Sequence, residues 1–181
     1  MSTSVPARVR WAIQVLTVQP SDEILEIGPG PGVAVALVCD RLVDGHITAI
    51  DRSATAVRRT AERNAGCIAS GKARVVQADL SDVSFESQHF DKVFAINVNL
   101  FWVRPDGAQL QIVRNLLRPG GRLYLFYEAP ASAKVDQVVS TVETTLRQHG
   151  FVTSTRSAPG TATKCVEAWL DPKTSRVFTD R

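Results

Sequence analysis

EIGPGPGVA, residues 26–34, places a glycine at every second position, Gly28, Gly30 and Gly32, directly after the apolar pair Ile24-Leu25. Glycine has no Cβ, so it adopts left-handed backbone angles easily and lets another group lie against bare backbone. A glycine-rich turn between a buried strand and a helix is a common setting for a bound ligand. The stretch therefore predicts a strand, a sharp turn and a helix, with a ligand close to the turn.

Strand-like and helix-like segments alternate along the chain. Apolar runs predict strands at 22–27, 46–51, 73–79, 90–97 and 122–128. Apolar residues at helical spacing predict helices between Ser4 and Pro20, at 33–43, 54–68 (capped by Ser53), 110–117 (ended by RPGG, 118–121) and 135–146. Two β-rich segments, 151–158 and 163–171, follow and are joined by Pro159-Gly160. This order predicts an α/β protein with a doubly wound, mostly parallel sheet, helices on both faces and the last two strands antiparallel at one edge.

Length and composition describe an ordinary globular chain. The 181 residues are 44% hydrophobic and 22% charged, with a formal net charge of +3. We expect one domain over residues 1–181, with an N-terminal helix in 1–20 and the core in 21–181. The charge is too small and too scattered to favour a nucleic-acid partner, and the pair Arg58-Arg59 is interpreted as a solvated helix face. No apolar segment reaches 18 residues, so neither a membrane span nor a signal peptide is expected.

Cysteine and histidine residues are few and widely separated. The three cysteines form no CxxC pair, which favours a reduced, cytoplasmic protein over a disulfide scaffold. The three histidines show no metal-ligand spacing, so no metal site is predicted. The residues concerned are Cys39, Cys67, Cys165, His46, His89 and His149.

The glycine spacing separates two classes of nucleotide site. The dinucleotide fingerprint GxGxxG needs a small residue at position 33, where this chain has Val33. The observed pattern is GxGxG, preceded by the acid Glu26. A nicotinamide cofactor is therefore disfavoured, and the chain also lacks a Tyr-x-x-x-Lys pair.

The stretch ILEIGPGPG, residues 24–32, resembles motif I of the class I S-adenosylmethionine-dependent methyltransferases. The resemblance extends over nearly the whole chain, with the elements in the same order. It implies the Rossmann-like methyltransferase fold with a seven-stranded sheet and an antiparallel last strand. It also implies S-adenosyl-L-methionine as the cofactor.

The resemblance assigns cofactor contacts to polar residues at successive strand ends. Asp51 matches the acid that binds the ribose hydroxyls, and it lies 23 residues after Gly28, near the roughly 20 expected for such a carboxylate. Asp79 matches the acid near the adenine amino group, with Leu80 by the adenine ring. Glu26 matches the motif I acid at the methionine end. The implied cofactor-binding set is Glu26, Gly28, Pro29, Gly30, Gly32, Asp51, Arg52, Asp79, Leu80 and Asn97.

The methyl acceptor is harder to predict. The family motif for amino-group methylation, Asn or Asp followed by Pro-Pro and an aromatic residue, is absent, and NVNLFW (97–102) stands in its place. No catalytic residue is evident; Glu128 is the best candidate for a general base, with a surface carboxylate as the alternative. The candidate substrate-binding residues are Asn99, Phe101, Trp102, Tyr127 and Glu128.

Four functional hypotheses remain open at this point. A methyltransferase acting on a small organic molecule is preferred, since methyl transfer needs little beyond alignment. A protein or RNA acceptor, or a subunit that binds S-adenosylmethionine without catalysis, are the alternatives. A nicotinamide-dependent oxidoreductase is the least favoured. Nothing in the sequence indicates the oligomeric state.

Overall fold

The computed structural model describes residues 4–82, 89–99, 107–129 and 132–171, except the side chain of Ser132. Within these ranges the helices are α1 Ala7–Leu16, α2 Val33–Cys39, α3 Ala54–Arg63, α4 Ala65–Ala69, α5 Ala108–Leu116 and α6 Ser132–Gln148. The strands are β1 Glu23–Ile27, β2 His46–Asp51, β3 Ala73–Gln77, β4 Phe90–Ile96, β5 Leu117–Tyr127, β6 Phe151–Ser157 and β7 Lys164–Leu170.

The seven strands form one mixed sheet in the order β3-β2-β1-β4-β5-β7-β6. All neighbours are parallel except β7, which runs antiparallel to both β5 and β6. This confirms the predicted doubly wound sheet with its antiparallel last strand. The strand order reverses at β1, between β2 and β4, and ligands bind at the carboxyl ends of strands beside such a reversal.

Both faces of the sheet are buried. On one face Leu25 packs in a cluster with residues of α5 and α6, and on the other Ile24 packs with residues of α1 and α2. A strand covered on both sides has no polar face, which explains the continuous apolar run of β1. The carboxyl end of β1 is thereby held rigidly between two helical layers.

Two helices end earlier than their apolar patterns predict. The helix at 33–43 ends at Cys39, because the amides of Val43 and Gly45 donate instead to the carbonyl of Pro20. The helix predicted over 54–68 is interrupted at Asn64, which has non-helical backbone angles. Ser53 caps α3 as predicted, since its Oγ accepts from the amide of Ala56 at 3.3 Å.

Helix α5 ends at Leu116, just before the segment RPGG (residues 118–121), as predicted; the strand predicted over 122–128, however, already begins at Leu117, so that RPGG lies inside β5. The pairing between β4 and β5 shifts from Phe90 opposite Leu117 to Lys92 opposite Arg122, which places the four residues in an irregularity of the strand. Gly120 has φ +82°, and this left-handed angle lets the strand bend there.

Two of the three cysteines are paired, so the expectation of unpaired cysteines is wrong for them. A disulfide joins Cys39 at the end of α2 to Cys67 in α4, with their Cα atoms 6.4 Å apart. Cys165 is a buried free thiol.

As predicted, Arg58 and Arg59 are exposed on α3. Among the helices in the described ranges, none has the length and apolar character needed to cross a membrane.

Candidate functional site

A cleft of about 450 Å³ opens at the carboxyl ends of the central strands. It is built from strand-end residues and from the turns that follow them. The lining residues are Ile27, Gly28, Gly30, Ile50, Asp51, Arg52, Ala78, Asp79, Leu80, Ile96, Asn97, Val98 and Asn99. Residues from the ends of β1, β2, β3 and β4 therefore meet around one space, and seven of the ten residues of the predicted cofactor-binding set are among them.

The three glycines of the turn have different surroundings. All have left-handed φ angles: +73° at Gly28, +54° at Gly30 and +72° at Gly32. A Cβ on Gly28 would lie 2.7 Å from the Cγ2 of Val98, and one on Gly32 would lie 2.8 Å from the Cα of Thr60. A Cβ on Gly30 would meet no atom within 4 Å, and Gly30 lines the cleft. Gly30 thus exposes bare backbone to the cleft, whereas the other two glycines make room for protein atoms.

Asp51 is held in place at the end of β2. Its Oδ1 accepts a hydrogen bond from the amide of Ser53 at 2.9 Å, which orients the carboxylate beside the start of α3. Among the described residues, no group donates to its Oδ2. A fixed carboxylate with an available oxygen on the cleft is suited to accept hydrogen bonds from a pair of hydroxyl groups.

The end of β3 supplies a second carboxylate and an apolar wall. The Oδ1 of Asp79 accepts from the amide of Ser81 at 3.0 Å and from its hydroxyl at 2.9 Å. The guanidinium of Arg52 reaches within 3.7 Å of Asp79 Oδ2, and Arg52 itself remains largely exposed. Leu80 is buried and lines the same cleft. Arg52 therefore links the ends of β2 and β3 across the cleft.

Glu26 lies just below the glycine turn in the interior of the sheet. It is buried, and within the part of the chain that the structure describes its Oε2 has no hydrogen-bond partner. Burial raises the pKa of Glu26 from 4.5 to about 8, and the nearby charge of Asp51 adds to the rise. The carboxyl is thus mainly protonated at neutral pH. Glu26, Pro29 and Gly32 are the members of the predicted set that do not line the cleft.

Asn97, at the end of β4, has an unusual backbone. Its φ is +56°, and its amide donates to the carbonyl of Phe126 at 2.8 Å. Its side-chain Oδ1 accepts from the amide of Glu128, also at 2.8 Å. These two bonds connect the ends of β4 and β5 and hold Asn97 on the cleft in a conformation that few residues other than glycine adopt.

The candidate substrate residues are dispersed. Asn99 lines the cleft, whereas Phe101 and Trp102 lie outside the described residues. Tyr127 is buried off the cleft lining, and its hydroxyl has no partner among the described residues. Glu128 pairs with Arg8 Nη1 at 3.2 Å and accepts from the hydroxyl of Thr163 at 3.0 Å. With both oxygens engaged, Glu128 connects α1 and the residue just before β7 to the end of β5, an arrangement that does not favour a general base.

The sequence interpretation omitted the apolar part of the lining. Each of the five residues that it missed is adjacent in the sequence to a predicted site residue. Their position at a strand end could have identified them, because a residue next to a strand-end acid or glycine lies at the same edge of the sheet. The residues missed are Ile27, Ile50, Ala78, Ile96 and Val98.

Comparison with known families agrees with this geometry. The sequence model of the methyltransferase domain family matches residues 24–121, which is more than half of the chain. The matched region contains β1 to β4 and the whole described cleft. The chain therefore belongs to the methyltransferase domain family, and its fold is that of the class I S-adenosylmethionine-dependent methyltransferases.

Individual relatives share parts of the chain. The uncharacterized methyltransferase YdaC of Bacillus subtilis (strain 168) is 29% identical over 62% of this chain and 60% of its own length. The ubiquinone/menaquinone biosynthesis C-methyltransferase UbiE of Idiomarina loihiensis is 31% identical over 71% of this chain and 52% of its own length. The chain thus matches between half and two thirds of these relatives.

A solved structure shows the same fold over nearly the whole chain. The glycopeptide N-methyltransferase MtfA, complexed with sinefungin, superposes with a TM-score of 0.71 at 18% identity. The likeness covers 91% of this chain and 86% of MtfA. At this identity the likeness concerns the fold.

The cleft residues fit S-adenosylmethionine, the cofactor of this fold class. Gly30 leaves bare backbone where a Cβ would point into open space. Next to the lining residue Ile27, the buried Oε2 of Glu26 has no hydrogen-bond partner among the described residues, and a buried polar atom of this kind calls for one. Asp51 and Asp79 place carboxylates on the lining beside the apolar Leu80. These groups suit a ligand with an amino group, a diol and an aromatic base.

Proposed function

We propose that the protein transfers a methyl group from S-adenosylmethionine to a small organic molecule. The observation that carries the proposal is the convergence of Gly30, Asp51 and Asp79, from three successive strand ends, on one cleft. Each residue alone has a structural explanation. Together they provide bare backbone, a diol acceptor and an acceptor for an amino group within one space.

The chain's own residues act mainly by positioning. Bound S-adenosylmethionine supplies an electrophilic methyl group. Asp51 would hold the ribose, Asp79 and Leu80 the adenine, and Glu26 the methionine end. Alignment of two reactants alone contributes several kcal/mol to the lowering of a barrier, about 7–11 in favourable cases. No general base is required when the acceptor atom arrives unprotonated.

A small acceptor is supported by the cleft and by the charge. Ile96, Val98 and Asn99 continue the lining away from the two carboxylates, so apolar and amide groups are available for an organic molecule. The net charge of +3 does not favour nucleic acid. The name of the UbiE relative describes a C-methyltransferase of ubiquinone/menaquinone biosynthesis, which is also compatible with an organic acceptor.

A non-catalytic S-adenosylmethionine-binding subunit is the second candidate. The observation that favours it is Glu128, the best candidate base, whose two oxygens are taken up by Arg8 and Thr163. A protein or RNA acceptor remains the alternative within the enzyme class.

The domain organisation and location complete the proposal. We propose a single methyltransferase domain over 1–181, in which the segment 1–20 packs on the core at 21–181; Ile13 already shares a buried cluster with residues of the sheet. A cytoplasmic location rests on the small number of cysteines. The Cys39–Cys67 bond weighs against it, because disulfides are rare in reducing compartments.

The proposal is tested by binding and by turnover. In calorimetry the protein should bind S-adenosylhomocysteine and show no heat with NAD. Incubation with S-adenosylmethionine and a panel of phenols, quinols, amines and carboxylic acids should release S-adenosylhomocysteine with at least one acceptor. Binding of S-adenosylhomocysteine without its release in turnover, with small molecules, peptides and RNA all tested as acceptors, would favour the non-catalytic candidate. Heat with NAD and none with S-adenosylhomocysteine would refute both the enzyme and the non-catalytic candidate.

Asp51→Ala should weaken S-adenosylhomocysteine binding roughly tenfold or more, while the protein stays folded. The substitution removes hydrogen bonds to a charged acceptor, each worth about 1.5–3 kcal/mol. The matched control is Asp44→Ala, which removes an exposed carboxylate just before β2 that does not line the cleft. Calorimetry on both variants measures the effect, and equal affinities would contradict the role given to Asp51.

A further inference from the structure

Three side chains at the C-terminal end of α3 donate hydrogen bonds to the backbone carbonyls of the glycine turn. Thr60 Oγ1 donates to the carbonyl of Gly30 at 3.1 Å, and Arg63 Nε donates to the carbonyl of Pro31 at 2.7 Å. Asn64 Nδ2 donates to the carbonyl of Gly32 at 3.0 Å. Three successive carbonyls of the turn are thus each bound by a side chain about 30 residues further along the chain. We call Thr60, Arg63 and Asn64 the α3 clamp.

The composition of the turn explains why it needs donors from outside. Pro29 and Pro31 have no backbone N–H, so the turn has few donors with which to bind its own carbonyls. Its internal bond runs from the amide of Gly32 to the carbonyl of Pro29 at 2.9 Å, and the amide of Gly28 donates to Ile50 of β2. The amide of Ala36 in α2 also donates to the carbonyl of Gly32, at 3.3 Å. For the carbonyls of residues 30 and 31, the hydrogen bonds found among the described residues come from the α3 clamp.

The contact between the turn and α3 is close. Thr60 and Asn64 are buried, and a Cβ on Gly32 would lie 2.7 Å from Asn64 Nδ2. Asn64 also donates to the carbonyl of Thr60 at 2.8 Å, at the point where the helix is interrupted. The interruption turns the Asn64 amide toward the glycine turn. The helix that the sequence predicts as continuous over 54–68 is thus interrupted at Asn64, which belongs to the α3 clamp.

The same helix is tied to the ribose carboxylate at its other end. Asp51 accepts from the amide of Ser53, and Ser53 caps α3 through its hydroxyl. The ten residues of α3 therefore span the distance between Asp51 and the glycine turn. Both parts of the candidate site are positioned relative to one rigid element.

We propose that the α3 clamp positions the glycine turn for binding of the methionine part of the cofactor. This inference rests on the proposed placement of the cofactor in the cleft. Thr60, Arg63 and Asn64 are positioning residues, since none of them lines the cleft. A turn with three left-handed glycines has many accessible conformations when its carbonyls are unbound. The clamp selects one of them before the ligand arrives and so removes an ordering cost from binding.

The test uses Thr60→Val and Arg63→Met, with Arg59→Met as the matched control. Valine keeps the shape of threonine at a buried position, and methionine keeps the aliphatic stem of arginine. Arg59 is exposed on the same helix and is not part of the clamp. Calorimetry is performed with S-adenosylhomocysteine and, separately, with adenosine, which lacks the methionine part.

Loss of the neutral hydrogen bond from the Thr60 hydroxyl corresponds to an affinity change of about fivefold, and solvent screening of the exposed Arg63 guanidinium brings its charged hydrogen bond to a similar size. We expect each clamp variant to bind S-adenosylhomocysteine about fivefold more weakly, and the double variant at least tenfold. Adenosine affinity should change by less than about twofold in the same variants, and Arg59→Met should behave as the wild type. Hydrogen exchange of the amides in 28–36 should accelerate in the unliganded clamp variants, while exchange in β5 stays the same.

Three outcomes would overturn the inference. Unchanged S-adenosylhomocysteine affinity in folded clamp variants would show that the turn is positioned without them. A parallel loss of adenosine affinity, or faster exchange in β5 as well, would indicate general support of the domain. If the wild type binds adenosine but not S-adenosylhomocysteine, the proposed cofactor placement fails, and the clamp inference fails with it.

Discussion

Gly30→Val is expected to abolish binding of S-adenosylhomocysteine and to leave a protein that still unfolds in one cooperative transition. A Cβ on Gly30 meets no protein atom within 4 Å, so a valine is accommodated without collision in the unliganded chain. Its side chain then occupies the part of the cleft that Gly30 lines. The remaining cost is the left-handed φ of +54°, about 1–2 kcal/mol for a residue with a Cβ.

Thermal melts with and without ligand separate the two effects. A ligand at about 100 times its Kd stabilises the native state by about 2.7 kcal/mol, which raises Tm by roughly 5–10 °C in a chain of this size. We expect this rise in the wild type and none in Gly30→Val. The matched control is Gly71→Val, because Gly71 has φ +75°, an equally open Cβ position and no part in the cleft lining. If ligand stabilises Gly30→Val as much as Gly71→Val, the cofactor does not bind against Gly30.

The unliganded protein should lose stability between pH 5 and pH 8 because of Glu26. The native carboxyl keeps its proton up to a pKa of about 8, whereas the same group in the unfolded chain loses it near 4.5. This contribution to stability is complete below the unfolded pKa and is lost as the pH rises through the native one. A rise of this size corresponds to a loss on the order of 4 kcal/mol across the window.

Glu26→Gln isolates this contribution, since glutamine is neutral at every pH. The stability difference between wild type and variant, measured by thermal or urea unfolding, should favour the wild type most at pH 5 and shrink toward pH 8. Glu62→Gln on the exposed face of α3 serves as the control and should follow the wild type. Equal pH profiles for wild type and Glu26→Gln would show that Glu26 titrates normally in the folded protein.

The protonation state of Glu26 should also depend on whether the cofactor is bound. A cationic amino group near the carboxyl favours its charged form, so binding should lower the pKa of Glu26 and release a proton at neutral pH. Calorimetry of S-adenosylhomocysteine in phosphate and in Tris buffer reports that proton as a difference in apparent enthalpy. The difference should be present in the wild type and smaller in Glu26→Gln.

Local chemistry made much of this molecule predictable from the sequence. The alternation of strand-like and helix-like segments identified all seven strands of the described residues. In central strands such as β1 the signal is a continuous apolar run, because both of their faces are buried. Asp51 and Asp79 were predictable as well, since each comes directly after such a run. The seven-stranded sheet with its antiparallel last strand was implied by the family resemblance. The start of β5 was predicted at residue 122, which is too late, because the glycines and proline of RPGG indicate a turn, whereas Leu117 already pairs with Phe90 of β4.

The tertiary structure distinguishes residues that are alike in the sequence. Gly28, Gly30 and Gly32 form one regular pattern, yet of the three only Gly30 has an open Cβ position, because Val98 and α3 occupy the space beside the other two; Gly28 and Gly30 line the cleft and Gly32 does not. The protonation of Glu26 likewise depends on its burial in the sheet. The conformation of a turn and the apolar character of a strand depend on residues that are adjacent in the sequence, so both can be predicted from the sequence. Free space and local dielectric around an atom are set by residues distant along the chain, so they exist only once the chain has folded.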